Sequence, residues 1–424
     1  MTSSAIRVSS RFTSPSVNIS DHLSDSPFTV EWLLGSLYAS NEKFRNTTLK
    51  SRVQSVNAVN IGGSTMGLLS QVYDIVFTFE NSNEEYRILM KVPGMESLDA
   101  LKKRSGQFSR EFLKLVKVTK NQMFQKAGAL TDSFASEAHT RECAFYRDYA
   151  PHLPELPLVE KAGVLPIWDT ATESQMFAFA KHLSYLYAHF LCLPPETWLG
   201  KYPRNYLTYF VTSDFYYLYV DKLCALKPGM FEEAYRVFRP YMASKKFYDY
   251  TMTDVYKDIG LPPVLVHGDI WHGNLLWSKN ADSSLSSKLS AVIDWQLFHE
   301  GSVAFDIASF LALCVDGEIR REYEYQVLKF LYDRIGQLME ERGKSVNFSY
   351  DQMKQAYQVN FIPRALQLMV VPGYLLSYNV ALDEEARVVG TRREQYFSRI
   401  KFAMEDALEY FKQVRKDRIE EKAP

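Results

Sequence analysis

Val264-Leu-Val-His-Gly-Asp-Ile-Trp-His-Gly-Asn-Leu-Leu-Trp277, followed by Ala291-Val-Ile-Asp-Trp-Gln296, decides how this 424-residue chain is read. Both apolar, β-branched runs read as short buried strands, and each ends at or opens onto a carboxylate or an amide. Between Trp277 and Leu289 the chain is Ser-Lys-Asn-Ala-Asp-Ser-Ser-Leu-Ser-Ser-Lys, a polar loop that lets the strands pair antiparallel. Such pairing brings Asn274 close to Asp294, with Asp269 facing both.

A lone Asp or Asn after a strand is usually a turn or cap residue. Three of them at these spacings, behind buried strands, suit phosphoryl transfer from ATP. The triphosphate carries Mg²⁺, which takes hard oxygen ligands, and the acceptor hydroxyl needs a carboxylate to orient it and receive its proton. Asp269 fits the carboxylate; Asn274 and Asp294 fit the metal ligands. His267 is expected to fix the loop by hydrogen bonding, and Trp271 and His272 to shape it. Asp306 would either cap the next helix or reach back to the loop's backbone.

The interval from Asp269 to Asn274 matches the catalytic-loop spacing of protein kinases, but His267-Gly268 stands where His-Arg is usual. The His-Gly-Asp form resembles aminoglycoside phosphotransferases and choline kinases. With Ile293-Asp-Trp-Gln296 and Gly301 through Asp306, the chain looks like the choline-kinase-like (CHK) group, which includes the ecdysteroid-kinase-like proteins of insects and many nematode members. The likeness concentrates in residues 260–315 and extends over 60–150. It implies an α+β, bilobal protein-kinase-like fold with a small antiparallel-sheet N-lobe (26–168) and a larger, mainly helical C-lobe (169–424), behind a tail of residues 1–25. It implies a small-molecule acceptor too, such as a choline-like, steroid-like or xenobiotic alcohol. Absence of Asp-Phe-Gly and Ala-Pro-Glu segments argues against a protein substrate. The adenine hinge is expected near Leu165 to Thr170, where Pro166-Ile-Trp-Asp169 departs from the group's pattern.

Upstream, Phe28 to Phe44 reads as a leading helix with Thr29 as cap. Three strands follow, at Ser55–Ile61, Leu69–Glu80 and Tyr86–Val92, and the first two flank Gly62-Gly-Ser-Thr-Met-Gly67. Glycines let backbone N–H groups approach phosphate oxygens, so Gly62, Gly63, Ser64 and Gly67 are candidates for the phosphate turn, while a plain hairpin turn is the alternative. Lys91, in the apolar strand Ile-Leu-Met-Lys-Val-Pro, either points to water from an edge or grips the donor phosphates. In the second case Glu142 is its partner, chosen over Glu137 because the group's glutamate is followed after two residues by Phe-Tyr, here Phe145-Tyr146. A solvated helix-face glutamate is the other reading.

Composition sets the remaining bounds. With 46% hydrophobic and 14% aromatic residues the chain can bury sizeable cores, and 49 basic against 50 acidic residues leave no global field for nucleic acid or an anionic membrane. Cys143, Cys192, Cys224 and Cys314 lack zinc or disulfide spacing. No apolar run is long enough for a membrane span, so cytoplasm is the expected compartment. The Ser/Thr-rich residues 1–25 read as a disordered tail, or as a transit peptide. Aromatics are dense over residues 200–260, which fits helix packing first and an acceptor pocket second. Further helices are expected on Val327, Leu328, Leu331, Ile335 and Leu338, and on Phe397, Ile400, Met404, Leu408 and Phe411, with Pro363 and Pro372 bounding or kinking the segment between. A binding protein that keeps the fold without turnover, a pseudokinase, is the alternative function.

Overall fold

The structure, a computed structural model, describes residues 12–60, 70–93, 136–153, 162–205, 215–377 and 386–420. The chain divides into two compact units, Met1–Ser136 and Glu137–Pro424.

In the first unit, α1 (Val30–Ser40) and α2 (Glu42–Lys50) precede an antiparallel sheet of β1 (Val53–Asn60), β2 (Ser70–Phe79) and β3 (Glu85–Pro93). Side chains alternate across a strand, so Tyr73, Ile75, Phe77 and Phe79 of β2 share one face, and all four are fully buried. Leu33, Leu34 and Phe44 of the two helices join them in one core, with Phe44 edge-on to Phe77 at 5.2 Å. Thr29 caps α1 by accepting the Trp32 N–H as expected, but the leading helix stops at Asn41, whose side chain accepts from Phe44 N–H and starts a second helix. Residues 12–25, within the stretch read as a tail, are held on this unit. Ser14 N–H donates to the Val53 carbonyl at 2.8 Å, and Leu23 is buried in the core.

The second unit is mainly helical. Its elements in chain order are a helix over residues 136–148 (α3), β4 (Ala162–Gly163), α4 (Glu173–Cys192), α5 (Phe215–Leu226), α6 (Glu232–Phe238), β5 (Val264–Val266), β6 (Leu275–Lys279), β7 (Leu285–Val292), β8 (His299–Gly301), α7 (Phe305–Cys314), α8 (Gly317–Glu340), α9 (Tyr350–Ser377) and α10 (Ala386–Phe411). Apolar but for Asp306 and Ser309, α7 has all ten residues buried, with α9 packed along it. Of the residues predicted for the inner faces of α8 and α10, Leu331, Ile335, Ile400 and Met404 are among those buried, and Leu408 is half-buried. Neither proline ends α9, which runs unbroken through Pro363 and Pro372. The described aromatics of 200–260 pack largely as core, with Tyr219, Phe238, Phe247 and Tyr248 almost fully buried.

β6 and β7 form the expected antiparallel hairpin, pairing Leu275 with Val292. β7 starts earlier than expected, at Leu285, so the connecting loop is shorter. β5 pairs with β8. The α+β class expected from the sequence is therefore what the chain adopts, small antiparallel sheets with a mainly helical remainder. Among the described residues no helix is long and apolar enough to cross a membrane.

Candidate active site

Asp269, Asn274 and Ile293, the residue before Asp294, are linked through His267 by a closed ring of four hydrogen bonds. The Asp269 N–H donates to His267 Nδ1 at 3.2 Å, and His267 Nε2 donates to the Ile293 carbonyl at 2.9 Å. The Ile293 N–H donates to the Asn274 carbonyl at 3.0 Å, and Asn274 Nδ2 returns to the Asp269 carbonyl at 2.7 Å. A carbonyl can only accept, so the ring fixes His267 as the neutral imidazole with its proton on Nε2. Burial, the largest influence, lowers its pKa and favours the same form. His267 is thus the loop-fixing group expected from the sequence.

Behind the ring lies Asp306, fully buried in the first turn of α7. Its carboxylate accepts from the N–H groups of His267 (2.7 Å) and Gly268 (3.1 Å) and from the Tyr187 hydroxyl (3.0 Å). Burial pushes this carboxyl up, while the three donors pull it down. Of its two expected roles, reaching back to the loop is the one it takes. Gly268 has φ +88°, and a Cβ there would stand 2.3 Å from the Leu297 carbonyl oxygen, so only glycine fits. Its own carbonyl accepts from Arg364 Nη2 at 2.7 Å. The peptide between Gly268 and Asp269 is therefore held at its oxygen by Arg364 and at its N–H by His267. A Cβ at Gly273 would meet the Trp271 ring at 2.4 Å, so a side chain there would have to displace that ring.

Asp294 leaves β7 with φ 68°, a left-handed conformation that Asp tolerates better than most residues, and Gln296 Nε2 donates to its Oδ2 at 3.1 Å. The next residue, Trp295, stacks on Phe145 of α3 at 3.6 Å, which brings α3 alongside this turn. Glu142 lies on α3 and is buried. Tyr146 is near both acids: burial first, then the carboxylates of Glu142 and Asp294, raise the pKa of its hydroxyl.

Lys91 belongs to the first unit. It pairs with Val72 and lies on the sheet face opposite the core row of Tyr86, Ile88 and Met90, sharing that face with the exposed Leu89. Gly62, Gly63, Ser64 and Gly67 lie outside the described residues; the strands on either side of them, β1 and β2, run antiparallel.

The donor atoms offered by Asp294 and by the amide oxygen of Asn274 are hard oxygens, which fits Mg²⁺. Among the described residues no group of three or more His, Cys, Asp or Glu side chains could hold a metal unaided. Mg²⁺ at Asn274 and Asp294 would accordingly share its coordination with substrate phosphates, as it commonly does.

Two buried arginines escaped the sequence reading. Arg364 is 1% exposed under the Gly268 carbonyl, and Arg399 is 1% exposed beside the 166–169 turn. The signal was available for Arg364, a charge within the apolar run Phe361-Ile-Pro-Arg-Ala-Leu366, the same cue that singled out Lys91.

Residues 155–415 match the model of a family, DUF1679, described as uncharacterized oxidoreductase dhs-27. The dhs-27 protein of Caenorhabditis elegans, an uncharacterized oxidoreductase by name, is 25% identical over 378 residues, 84% of this chain and 43% of that protein. An uncharacterized kinase-like protein of the same nematode, D1044.1, is 28% identical over 103 residues, 24% of this chain and 25% of that protein. The chain thus spans less than half the length of these relatives. Similar solved structures include an ethanolamine kinase of Plasmodium vivax, at 11% identity and TM-score 0.40, covering 94% of this chain and 93% of that one. A GDP complex of an aminoglycoside phosphotransferase is another, at 12% identity and TM-score 0.37, covering 85% and 93%.

Proposed function

The chain belongs to the DUF1679 family, and on that premise we propose that it is an ATP-dependent phosphotransferase acting on the hydroxyl of a small molecule. The observation that supports this reading is the hydrogen-bonded ring, which ties the half-buried Asp269 to Asn274 and to Ile293, the residue before Asp294. Asp269 orients the acceptor hydroxyl and takes its proton as the oxygen bonds to the γ-phosphorus and the bond to ADP breaks. Asn274 and Asp294 hold Mg²⁺, which when bound neutralises phosphate charge. Lys91, Glu142 and the glycine-rich residues Gly62, Gly63, Ser64 and Gly67 are assigned to the nucleotide side of the reaction. The acceptor is an alcohol of choline-like, steroid-like or xenobiotic type.

The oxidoreductase in the name of the longer relative finds little support in this chain. Every strand pairing between named strands of the described residues is antiparallel, whereas dinucleotide-binding folds are built on a parallel sheet with the glycine turn opening a helix.

The test is calorimetric titration of ATP with and without Mg²⁺, on the wild type and on Asp294→Asn. The reading expects binding that Mg²⁺ strengthens in the wild type and an enhancement that Asp294→Asn largely removes. Binding indifferent to Mg²⁺, or unaltered by the substitution, would overturn it.

A further inference from the structure

We infer that Arg399 of α10 is a positioning residue that sets the 166–169 turn and, through His272, the loop carrying Asp269 and Asn274. The inference rests on the phosphotransferase reading, since it assigns that turn to the nucleotide side of the site.

Three successive carbonyls converge on this one guanidinium. Nη1 donates to Ile167 at 3.2 Å; Nη2 donates to Trp168 at 3.3 Å and to Asp169 at 2.7 Å. Nη1 also reaches the Leu313 carbonyl at the end of α7, at 3.2 Å, and Nε donates to Asp316 Oδ1 at 2.8 Å. Consecutive carbonyls aimed at one point repel each other, so the shape of this turn depends on the cation inside it. The ion pair with Asp316 and the converging carbonyls offset the desolvation cost of burying this charge.

The second link is the Asp169 carbonyl itself. It accepts from Arg399 and, on its other side, from His272 Nε2 at 2.9 Å. His272 opens the short turn that ends at Asn274 and stands three residues after Asp269. It is buried, 1% exposed. A shift of the Asp169 oxygen would therefore move the nucleotide-side turn and the loop together.

A purely structural arginine would do none of this, and the second unit supplies a control. Arg320 of α8 is fully buried and ion-paired to Glu324 and Asp406. Arg399→Met, Arg399→Lys and Arg320→Met would be compared with the wild type, all as full chains, by ADP titration and by ¹H–¹⁵N spectra of the histidine side chains. Arg399→Met should weaken ADP binding about tenfold or more and shift the His272 imidazole signals; Arg399→Lys, serving fewer carbonyls, should recover part of both. Arg320→Met should lower thermal stability and leave both readouts unchanged. If Arg399→Met fails to fold, Arg399→Lys carries the comparison. Wild-type ADP affinity and His272 signals in the Arg399 variants, or equal losses in Arg320→Met, would overturn the inference. A wild type that binds no nucleotide would overturn the phosphotransferase reading instead, while a His272 shift confined to the Arg399 variants would still uphold the link.

Discussion

At the scale of single residues, the loop around Asp269 is held by groups that have no substitutes. Asp306→Ala would leave two backbone N–H groups and the Tyr187 hydroxyl without their acceptor in a buried site, and should cost roughly 3 kcal/mol or more. Urea denaturation measures this, and an unchanged midpoint would contradict the role given to Asp306. Gly268→Ala puts a Cβ 2.3 Å from a backbone oxygen at a positive φ, so a loss of about 2 kcal/mol or more is expected, with lowered turnover. Asp269→Asn keeps the shape and removes the base. Its stability should stay near that of the wild type while turnover falls about a hundredfold or more.

At the scale of elements, the strands were legible because each advertises its environment. β2 was expected as a strand over Leu69–Glu80, and in the fold its burial alternates, with Tyr73, Ile75, Phe77 and Phe79 on the core face. Phe77→Ala should cost roughly 3–5 kcal/mol in a denaturant melt, since the ring packs against Phe44 and Tyr86. The hairpin of β6 and β7 was legible in pairing but not in length, because Ser286 to Lys288 are polar and weak strand propensity there is overridden by register with β6. The leading helix was misjudged at one residue: Asn41 looks like a tolerable interior position, yet its side chain captures the Phe44 N–H and resets the axis. Arg364 was visible as a charge in an apolar run, but the partners of Arg364 and Arg399 were not legible. Each bonds carbonyls about 100 or more positions away in the chain, and no local pattern encodes which carbonyl a buried guanidinium will find.

At the scale of the whole molecule, buried neutral histidines should make the fold sensitive to acid. The pKa values of His182 (to about 4), His272 and His299 (each to about 3) are lowered chiefly by burial, and those of His189 and His267 are lowered for the same leading reason. Below about pH 6.5 the unfolded chain binds protons that the folded chain cannot, so stability is full above that value and is lost as pH falls toward the folded values. Each fully buried imidazole contributes up to about 1.4 kcal/mol per pH unit across that window. The raised carboxyls of Asp306 and Glu324 act with the opposite sign, between their ordinary and raised values, and soften the loss at the acid end. Melting temperatures taken at pH 7.5 and 5.5 should fall clearly with acidification, and a flat profile would contradict the neutral assignments. The central claim, that the ring assembles a phosphotransfer site, is tested most directly by following transfer of labelled γ-phosphate from Mg·ATP. The acceptors would be a panel of choline-like, ethanolamine-like, sterol and glycoside alcohols, with the wild type run beside Asp269→Asn. The account predicts a phosphorylated alcohol with the wild type and almost none with the variant. Mg²⁺-dependent ATP binding without any phosphorylated product, or equal product from both proteins, would contradict it.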